Sequence, residues 1–112
     1  MDIEISYKGD SHHIEVENPY KMDAKAVSKE MEEFLNQHGL KKDEIKDLNI
    51  AELLPKMVRG VAGCEAGCPA NAYSLVKSGV GSYKLKYIDG GILTAYTPVK
   101  DGTIEIKVFP GF

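Results

Sequence analysis

The chain has 112 residues, 43% of them hydrophobic and 28% charged, which is the length and composition of one globular domain. We therefore predict a single domain over residues 1–112. The net charge is −3 and Arg59 is the only arginine, which argues against a nucleic-acid partner, because phosphate and base recognition rely on clustered Arg and Lys. No apolar run approaches the roughly 18 residues of a membrane span, and the N-terminus is acidic and alternating, unlike a signal peptide. We expect a cytoplasmic protein that does not bind membranes.

Alternation of apolar and polar residues from Met1 to Val16 predicts a β-hairpin that turns at residues 8–11. The apolar positions then change to a helical spacing. Asp23 is suited to cap the start of this helix, and Gly39 to occupy the left-handed position after its end. The first third of the chain is therefore expected to be a hairpin followed by a helix.

The segment from Asp43 to Arg59 is also helix-like, but it contains Pro55. Proline has no amide hydrogen and its ring clashes with the preceding turn, so it does not fit deep inside a straight helix. We therefore predict two short helices here, or one that begins near Asn49.

Beyond Gly81 the alternating pattern returns, with glycine-containing turns at residues 89–91 and 100–102. These residues predict a three-stranded meander. The whole chain is thus expected to adopt an α+β fold, in which the N-terminal hairpin and the C-terminal meander form an antiparallel sheet and two to three helices pack on one face. Chain order alone leaves open whether the first hairpin lies beside the last strand.

Both cysteines of the chain lie in one glycine-rich segment, from Gly60 to Pro69. Its three glycines predict a tight loop rather than the interior of a helix. Pro69 suits the first position of a new helix, which would run to about Gly79. Cys68 would then lie at a helix N-terminus, where free amides and the helix dipole stabilise a thiolate. Cys64 and Cys68 are the candidate site residues.

One interpretation of this loop is half of a metal or iron–sulfur site. The pattern Cys-x3-Cys-Pro ends a bacterial ferredoxin motif, but the two upstream ligand positions are Val58 and Val61. The missing ligands would have to come from a histidine, from a carboxylate such as Glu65, or from a second copy of the chain. Four thiolates, with Cys64 and Cys68 supplied by each of two chains, would suit zinc or an iron–sulfur cluster. The histidines considered are His12, His13 and His38.

A second interpretation is a dithiol that cycles with a disulfide, in which Cys68 attacks and Cys64 resolves. It has one more residue between the sulfurs than the Cys-x-x-Cys oxidoreductases, and the loop follows a helix rather than a strand. A single cysteine nucleophile would need a histidine that only the fold can bring close. The fourth interpretation is structural, with both cysteines packing a tight turn as small hydrophobic residues.

The other candidates carry weaker signals. His12 and His13 point to opposite faces of a strand, so they cannot both face one metal from it. Tyr83, Tyr87 and Tyr96 in the meander could line a groove, although tyrosine is common in strands for reasons of propensity alone. The alternative function is therefore a non-catalytic interaction module with structural cysteines, in which this tyrosine face or the acidic helices bind a second copy of the chain or another protein.

The segment GCEAGCPANA, together with the tail YKLKYIDGGILTAYTPVKDGTIEIKVFPGF, resembles a small family of uncharacterised proteins from anaerobic prokaryotes. The resemblance covers the C-terminal half best, and the family carries no established activity. It implies an environment in which low-potential thiol, metal or cluster chemistry is common. We therefore expect thiol-redox or metal chemistry at Cys64 and Cys68.

Overall fold

The computed structural model describes residues 1–18, 21–62, 83–88 and 91–109. These residues form five strands and three helices. The strands are β1 (Asp2–Tyr7), β2 (Asp10–Glu15), β3 (Lys84–Ile88), β4 (Ile92–Val99) and β5 (Gly102–Phe109). The helices are α1 (Ala24–Gln37), α2 (Lys42–Asp47) and α3 (Ile50–Ala62). The predicted α+β fold, with its hairpin and meander, is confirmed.

The described strands form one antiparallel sheet in the order β2-β1-β5-β4-β3. The first and last of these strands, β1 and β5, pair with each other near the middle of the sheet, where Ile5 lies opposite Ile106 and Ile3 opposite Val108. The N-terminal hairpin therefore lies beside the last strand, which settles the question that chain order leaves open.

Helices cover one face of this sheet, and the core lies between the two layers. Strand side chains alternate between faces, so one set of positions on β1, β4 and β5 is buried, except at the turn between β4 and β5, where Val99 is half-buried and Gly102 is exposed. Helix α3 packs against α1 and against β4 and β5, while α1 also contacts β2 and α2. The fully buried side chains that join the layers include Ile3, Ile5, Met31, Leu35, Leu53, Leu54, Met57, Leu93, Ile104 and Ile106.

Helix α1 has the predicted signals at both ends. The Asp23 carboxylate accepts hydrogen bonds from the amides of Lys25 and Ala26 at 3.1 and 3.2 Å. At the other end Gly39 has φ +97°, and the amide of Leu40 donates to the carbonyl of Leu35 at 3.0 Å. This is the Schellman arrangement, in which a left-handed glycine lets the chain turn back onto the last helical carbonyls.

The helical middle divides between α2 and α3, close to the position predicted. Asn49 lies between them with φ +50°, a left-handed conformation that Asn tolerates better than most residues. Its carbonyl accepts from the amides of Glu52 and Leu53 at 3.0 and 3.1 Å, so α3 begins directly after it. Pro55 lies inside α3, where it cannot donate to the carbonyl of Ala51. Because Ala51 is exposed, water can solvate that carbonyl.

The prediction that the loop starts at Gly60 is wrong, since residues 60–62 are the last residues of α3. Val58 and Val61 are 0% and 1% exposed, so they extend the buried stripe of this helix by a further turn. A glycine inside a helix costs about 1 kcal/mol relative to alanine. Burial of one valine side chain contributes about 1.5 to 3 kcal/mol, so packing outweighs the low helix propensity of Gly60.

Replacing Pro55 with alanine is expected to stabilise the protein by about 1 kcal/mol. Alanine restores an amide that can donate to the Ala51 carbonyl and removes a ring that costs about 3 kcal/mol in a helix interior. The gain is reduced because proline also restricts the unfolded chain. Urea unfolding measures the change, with Lys56→Ala as the neighbouring control, expected to lie within about 0.5 kcal/mol of the parent. A less stable Pro55→Ala variant would show that the ring itself stabilises α3.

Candidate functional site

The cysteine site predicted from the sequence lies outside the described residues. This applies to Cys64, Cys68, Glu65 and Pro69 alike. The structure does describe the two elements to which this part of the chain is attached. Helix α3 leads into it at Ala62, and Tyr83 and β3 follow it.

Both attachments are fixed in the core. On α3, the residues Leu54, Met57, Val58 and Val61 follow a helical spacing and are at most 1% exposed. At the other end Tyr83 is 6% exposed. The segment that contains the two cysteines therefore begins and ends on side chains packed between the helices and the sheet.

Tyr83 is an unusual buried group beside this segment. Its hydroxyl is buried and has no hydrogen-bond partner among the residues that the structure describes. Burial raises the pKa of Tyr83 well above its ordinary value, because the phenolate would lose its hydration. Tyr83 is therefore a neutral phenol at physiological pH, with a hydrogen-bond donor held in an apolar environment.

The histidines form contacts where the hairpin meets α1. The Nδ1 of His38 lies 2.8 Å from the carbonyl oxygen of Phe34, and its Nε2 lies 3.0 Å from Oδ2 of Asp10. A carbonyl and an ionised carboxylate both accept, so both contacts are hydrogen bonds when each ring nitrogen carries a proton. This pair connects the first residue of β2 to the residue that caps the end of α1.

The ring of Phe34 contacts two histidine rings. The ring of His12 stacks on it with a centroid distance of 5.9 Å and an interplanar angle of 21°, and the ring of His38 lies 4.3 Å away on a tilted plane. The Nε2 of His12 is 3.7 Å from Oε2 of Glu30, which is too far for a hydrogen bond, and this buried nitrogen has no hydrogen-bond partner among the described residues. The ring contacts and the His38–Asp10 contact therefore dock β2 onto α1, which is a structural use of both histidines.

His13 points to the other face of the sheet, as predicted. Its Nε2 lies 3.1 Å from Oε2 of Glu4, its direct neighbour across the strands. Glu4 also accepts a hydrogen bond from the Ser6 hydroxyl at 3.0 Å. Because Glu4 lies between the other two groups, the histidine cannot act as a base for the serine through this contact.

The described residues around these histidines do not assemble a metal site. Among the described residues there is no group of three or more His, Cys, Asp or Glu side chains that could hold a metal ion. Binding a metal through His12, His13 or His38 would compete with the carboxylate that each ring faces.

A separate groove of about 510 Å³ lies between α1 and α2, with Ile45 at its base. Its walls mix cationic, anionic and amide side chains rather than carrying one sign of charge. The polar lining residues are Lys29, Glu32, Glu33, Asn36, Gln37, Lys42 and Lys46. Because opposite charges lie side by side, the groove has no evident preference for one ligand class.

The predicted tyrosine face is wrong in one respect. Leu85 pairs with Ala95 and Lys84 with Tyr96, so alternation places Tyr83 on the face covered by helices and Tyr96 on the opposite face. The side chain of Tyr87 lies outside the described part of the chain. Tyr83 and Tyr96 therefore cannot line one groove.

Sequence reasoning missed the partners Asp10 and Glu30 of the histidines. Part of the signal was present, because Glu30, Phe34 and His38 are spaced four residues apart and lie on one side of α1. To predict the contacts, one would also need to know which strand packs against that side of α1, and the spacing of residues within the helix does not say this.

We compared the chain with protein-family models, with curated proteins and with solved structures. No family model, curated protein or solved structure matches it. Within the described residues, no helix has the length and apolar character needed to cross a membrane.

The His38–Asp10 contact is expected to contribute a coupling free energy of about 0.5 to 1 kcal/mol, measured with a double-mutant cycle of His38→Ala and Asp10→Ala. The cycle subtracts the separate loss of the bond from His38 to Phe34. The comparison pair is Glu52 and Lys56, exposed one turn apart on α3 at 3.8 Å, for which about 0.3 to 0.5 kcal/mol is typical. A coupling no larger than that of the helix pair would contradict a docking role.

Tyr83→Phe is expected to be neutral or stabilising at neutral pH, because it removes a buried hydroxyl that has no hydrogen-bond partner in the described part of the chain. Burial raises the pKa of Tyr83 in the folded state, so above about pH 10 the phenol ionises more readily in the unfolded chain than in the folded protein. The free energy of unfolding is therefore unaffected by this ionisation below about pH 10 and falls as the pH rises above that value. The loss is up to about 1.4 kcal/mol per pH unit. Denaturant unfolding between neutral and alkaline pH should show a shallower loss in Tyr83→Phe. Tyr96→Phe, which removes a tyrosine hydroxyl from the opposite face of the sheet, is the control for the substitution itself. Equal slopes in the two variants would contradict a specific effect of Tyr83.

Proposed function

We propose that the protein is a thiol–disulfide protein in which Cys64 and Cys68 form the reactive pair. The observation that carries the proposal is that both cysteines of the chain lie four positions apart, shortly after the end of α3 and directly before a proline. Support also comes from the anchoring of this segment on Val61 and Tyr83, which are buried in the core. A thiol pair attached at both ends to a packed core loses less conformational entropy when it closes a disulfide.

The two thiols are assigned different roles. Cys68 precedes Pro69, and a helix that begins at this proline would place free amides near the sulfur and lower its pKa. Cys68 is therefore the attacking thiolate. Cys64 follows α3, whose C-terminal carbonyls carry partial negative charge and disfavour a second thiolate nearby. Cys64 is therefore the resolving thiol.

The proposed substrate is the disulfide of another molecule. The Cys68 thiolate attacks one of its sulfurs, so that a mixed disulfide forms and the other sulfur leaves as a thiolate. Cys64, on losing its proton, then attacks the Cys68 sulfur and releases the second substrate thiol. The products are two thiols and a Cys64–Cys68 disulfide, so the two electrons that the substrate gains are those that the protein loses.

A second candidate is a metal site shared by two chains. The spacing of Cys64 and Cys68 supplies two thiolates, and a second copy supplies the other two that zinc or an iron–sulfur cluster requires. Histidines at positions 12, 13 and 38 each face a carboxylate, which favours a second chain over these side chains as the source of further ligands.

Elemental analysis of protein purified without oxygen or chelator separates these two candidates. About half a zinc per chain, or one to two irons per chain for a cluster of two or four irons, lost in Cys64→Ser, supports the shared metal site. For the thiol–disulfide function we expect metal-free protein whose thiols form one reversible intrachain disulfide, seen as a mass loss of about 2 Da and titrated against glutathione.

The roles of the thiols are tested by alkylation across a range of pH. In Cys64→Ser, the remaining Cys68 should react with iodoacetamide with an apparent pKa below about 8.5, the ordinary value for cysteine. It should also accumulate a mixed disulfide with a model disulfide, because the resolving thiol is gone. In the matched variant Cys68→Ser, Cys64 should react more slowly at neutral pH. A Cys68 pKa at or above about 8.5, with no reversible disulfide, would contradict the proposal and favour the interaction module with structural cysteines.

A further inference from the structure

The sheet has a second face, on the side away from helices α1–α3. We call it the open face because charged side chains at both of its edges are exposed. Charges on it are separated by sign. At one side, on β1 and β2, lie the acidic residues Asp2, Glu4 and Glu15. At the other side, on β3, lie the exposed residues Lys84 and Lys86. The open face is therefore negative along one edge of the sheet and positive along the other.

The middle of the open face is neutral and partly apolar. On β5, Lys107 and Glu105 lie 4.0 Å apart and balance each other. Phe109, Ile92 and Tyr96 are half-buried on the same face. An apolar centre with charged margins is the usual anatomy of a protein–protein interface.

The open face also contains a buried hydroxyl. Thr94 is 0% exposed, and its Oγ1 has no hydrogen-bond partner within the described part of the chain. On this face its neighbours across the strands are Lys86 and Lys107. Because Thr94 is fully buried, the polar groups that a partner could reach at this position are the side chains of Lys86, which is exposed, and Lys107, which is half-buried. A carboxylate brought to the face would offer these two lysines a counter-charge.

We propose that the open face binds the open face of a second copy of this chain, about a twofold axis parallel to the strands. Such an axis reverses the strand order, so that β2 and β1 of one protomer lie over β3 and β4 of its partner. The acidic side of each copy then meets the basic side of the other, and the same contact occurs twice, as an isologous interface requires. Strand β5 lies on the axis, so Phe109 meets its own counterpart in the apolar centre.

Charge complementarity favours a second copy over other occupants. An unrelated acidic or basic partner would match only one side of the open face and be repelled by the other. The chain's own residues 63–82 contain one acidic and one basic residue, Glu65 and Lys77, too few to match both sides. A second copy matches both sides with the charges already present.

The first test is the oligomeric state, measured by sedimentation and light scattering with a reducing agent present, so that disulfides between chains do not contribute. We expect a species of twice the chain mass of 12.3 kDa at micromolar concentrations. The dissociation constant of the dimer should increase by roughly tenfold between low and high salt, because salt screens partly exposed charges. A wild-type chain that stays monomeric at millimolar concentration would overturn the proposal.

Charge reversal tests the arrangement. The double variant Lys84→Glu, Lys86→Glu makes both sides of the face negative, and the double variant Asp2→Lys, Glu15→Lys makes both sides net positive. Each alone should be a folded monomer by circular dichroism and sedimentation. An equimolar mixture of the two should form a heterodimer, because opposite charges then meet on both sides.

The matched control is Lys42→Glu, Lys46→Glu, which makes the same change in net charge on α2, in the helical layer. It should keep the dimer. Three outcomes would each refute binding through the open face. The control could lose the dimer, both charge-reversed variants could keep it, or their mixture could stay monomeric. A face that instead contacts residues 63–82 would give a monomer at every concentration. None of these variants changes a cysteine, so the outcome is independent of the thiol–disulfide proposal.

Discussion

The pairing of β1 with β5 is the contact on which the rest of the fold depends. It joins the first and last strands of the chain in register, with Ile5 opposite Ile106, and so connects the N-terminal hairpin to the meander. Without it neither part has a sheet wide enough to cover the apolar sides of α1 and α3. Because contacts of such long sequence separation close large loops, their formation is expected to limit the folding rate.

The elements that the sequence predicted well are those whose causes are local. Alternation, the Asp23 cap and the left-handed Gly39 act within a few residues, so the hairpin, α1 and the meander could be recognised without knowledge of the fold. The continuation of α3 through Gly60 could not. Its cause is the burial of Val61 against other elements, which outweighs a glycine whose local preference is to leave the helix. Strand order could not be predicted either, because each strand has two edges and the local sequence pattern does not say which other strand pairs with each edge.

The candidate sites show the same division between features visible in the local sequence and features that depend on tertiary packing. The spacing of Cys64 and Cys68 is visible in the sequence, whereas the acidity of a thiol depends on amides and charges that the fold brings near it. The histidines illustrate the point. His12 and His38 are far apart in sequence and have unremarkable local contexts, yet both rings contact Phe34. The stack exists because β2 packs on α1. A histidine without a local motif therefore acquires its role from tertiary packing, here as a docking contact.

Strand order also determines the electrostatics of the open face. Its acidic residues belong to the hairpin at the start of the chain, and Lys84 and Lys86 belong to the first strand of the meander. Pairing of β1 with β5 places β2 and β3 at opposite edges of the sheet. Had β3 paired with β2 instead, Glu15 and the lysines would have been neighbours across the strands and would have neutralised one another. The separation of charge that makes the open face complementary to itself thus follows from the same pairing that closes the core.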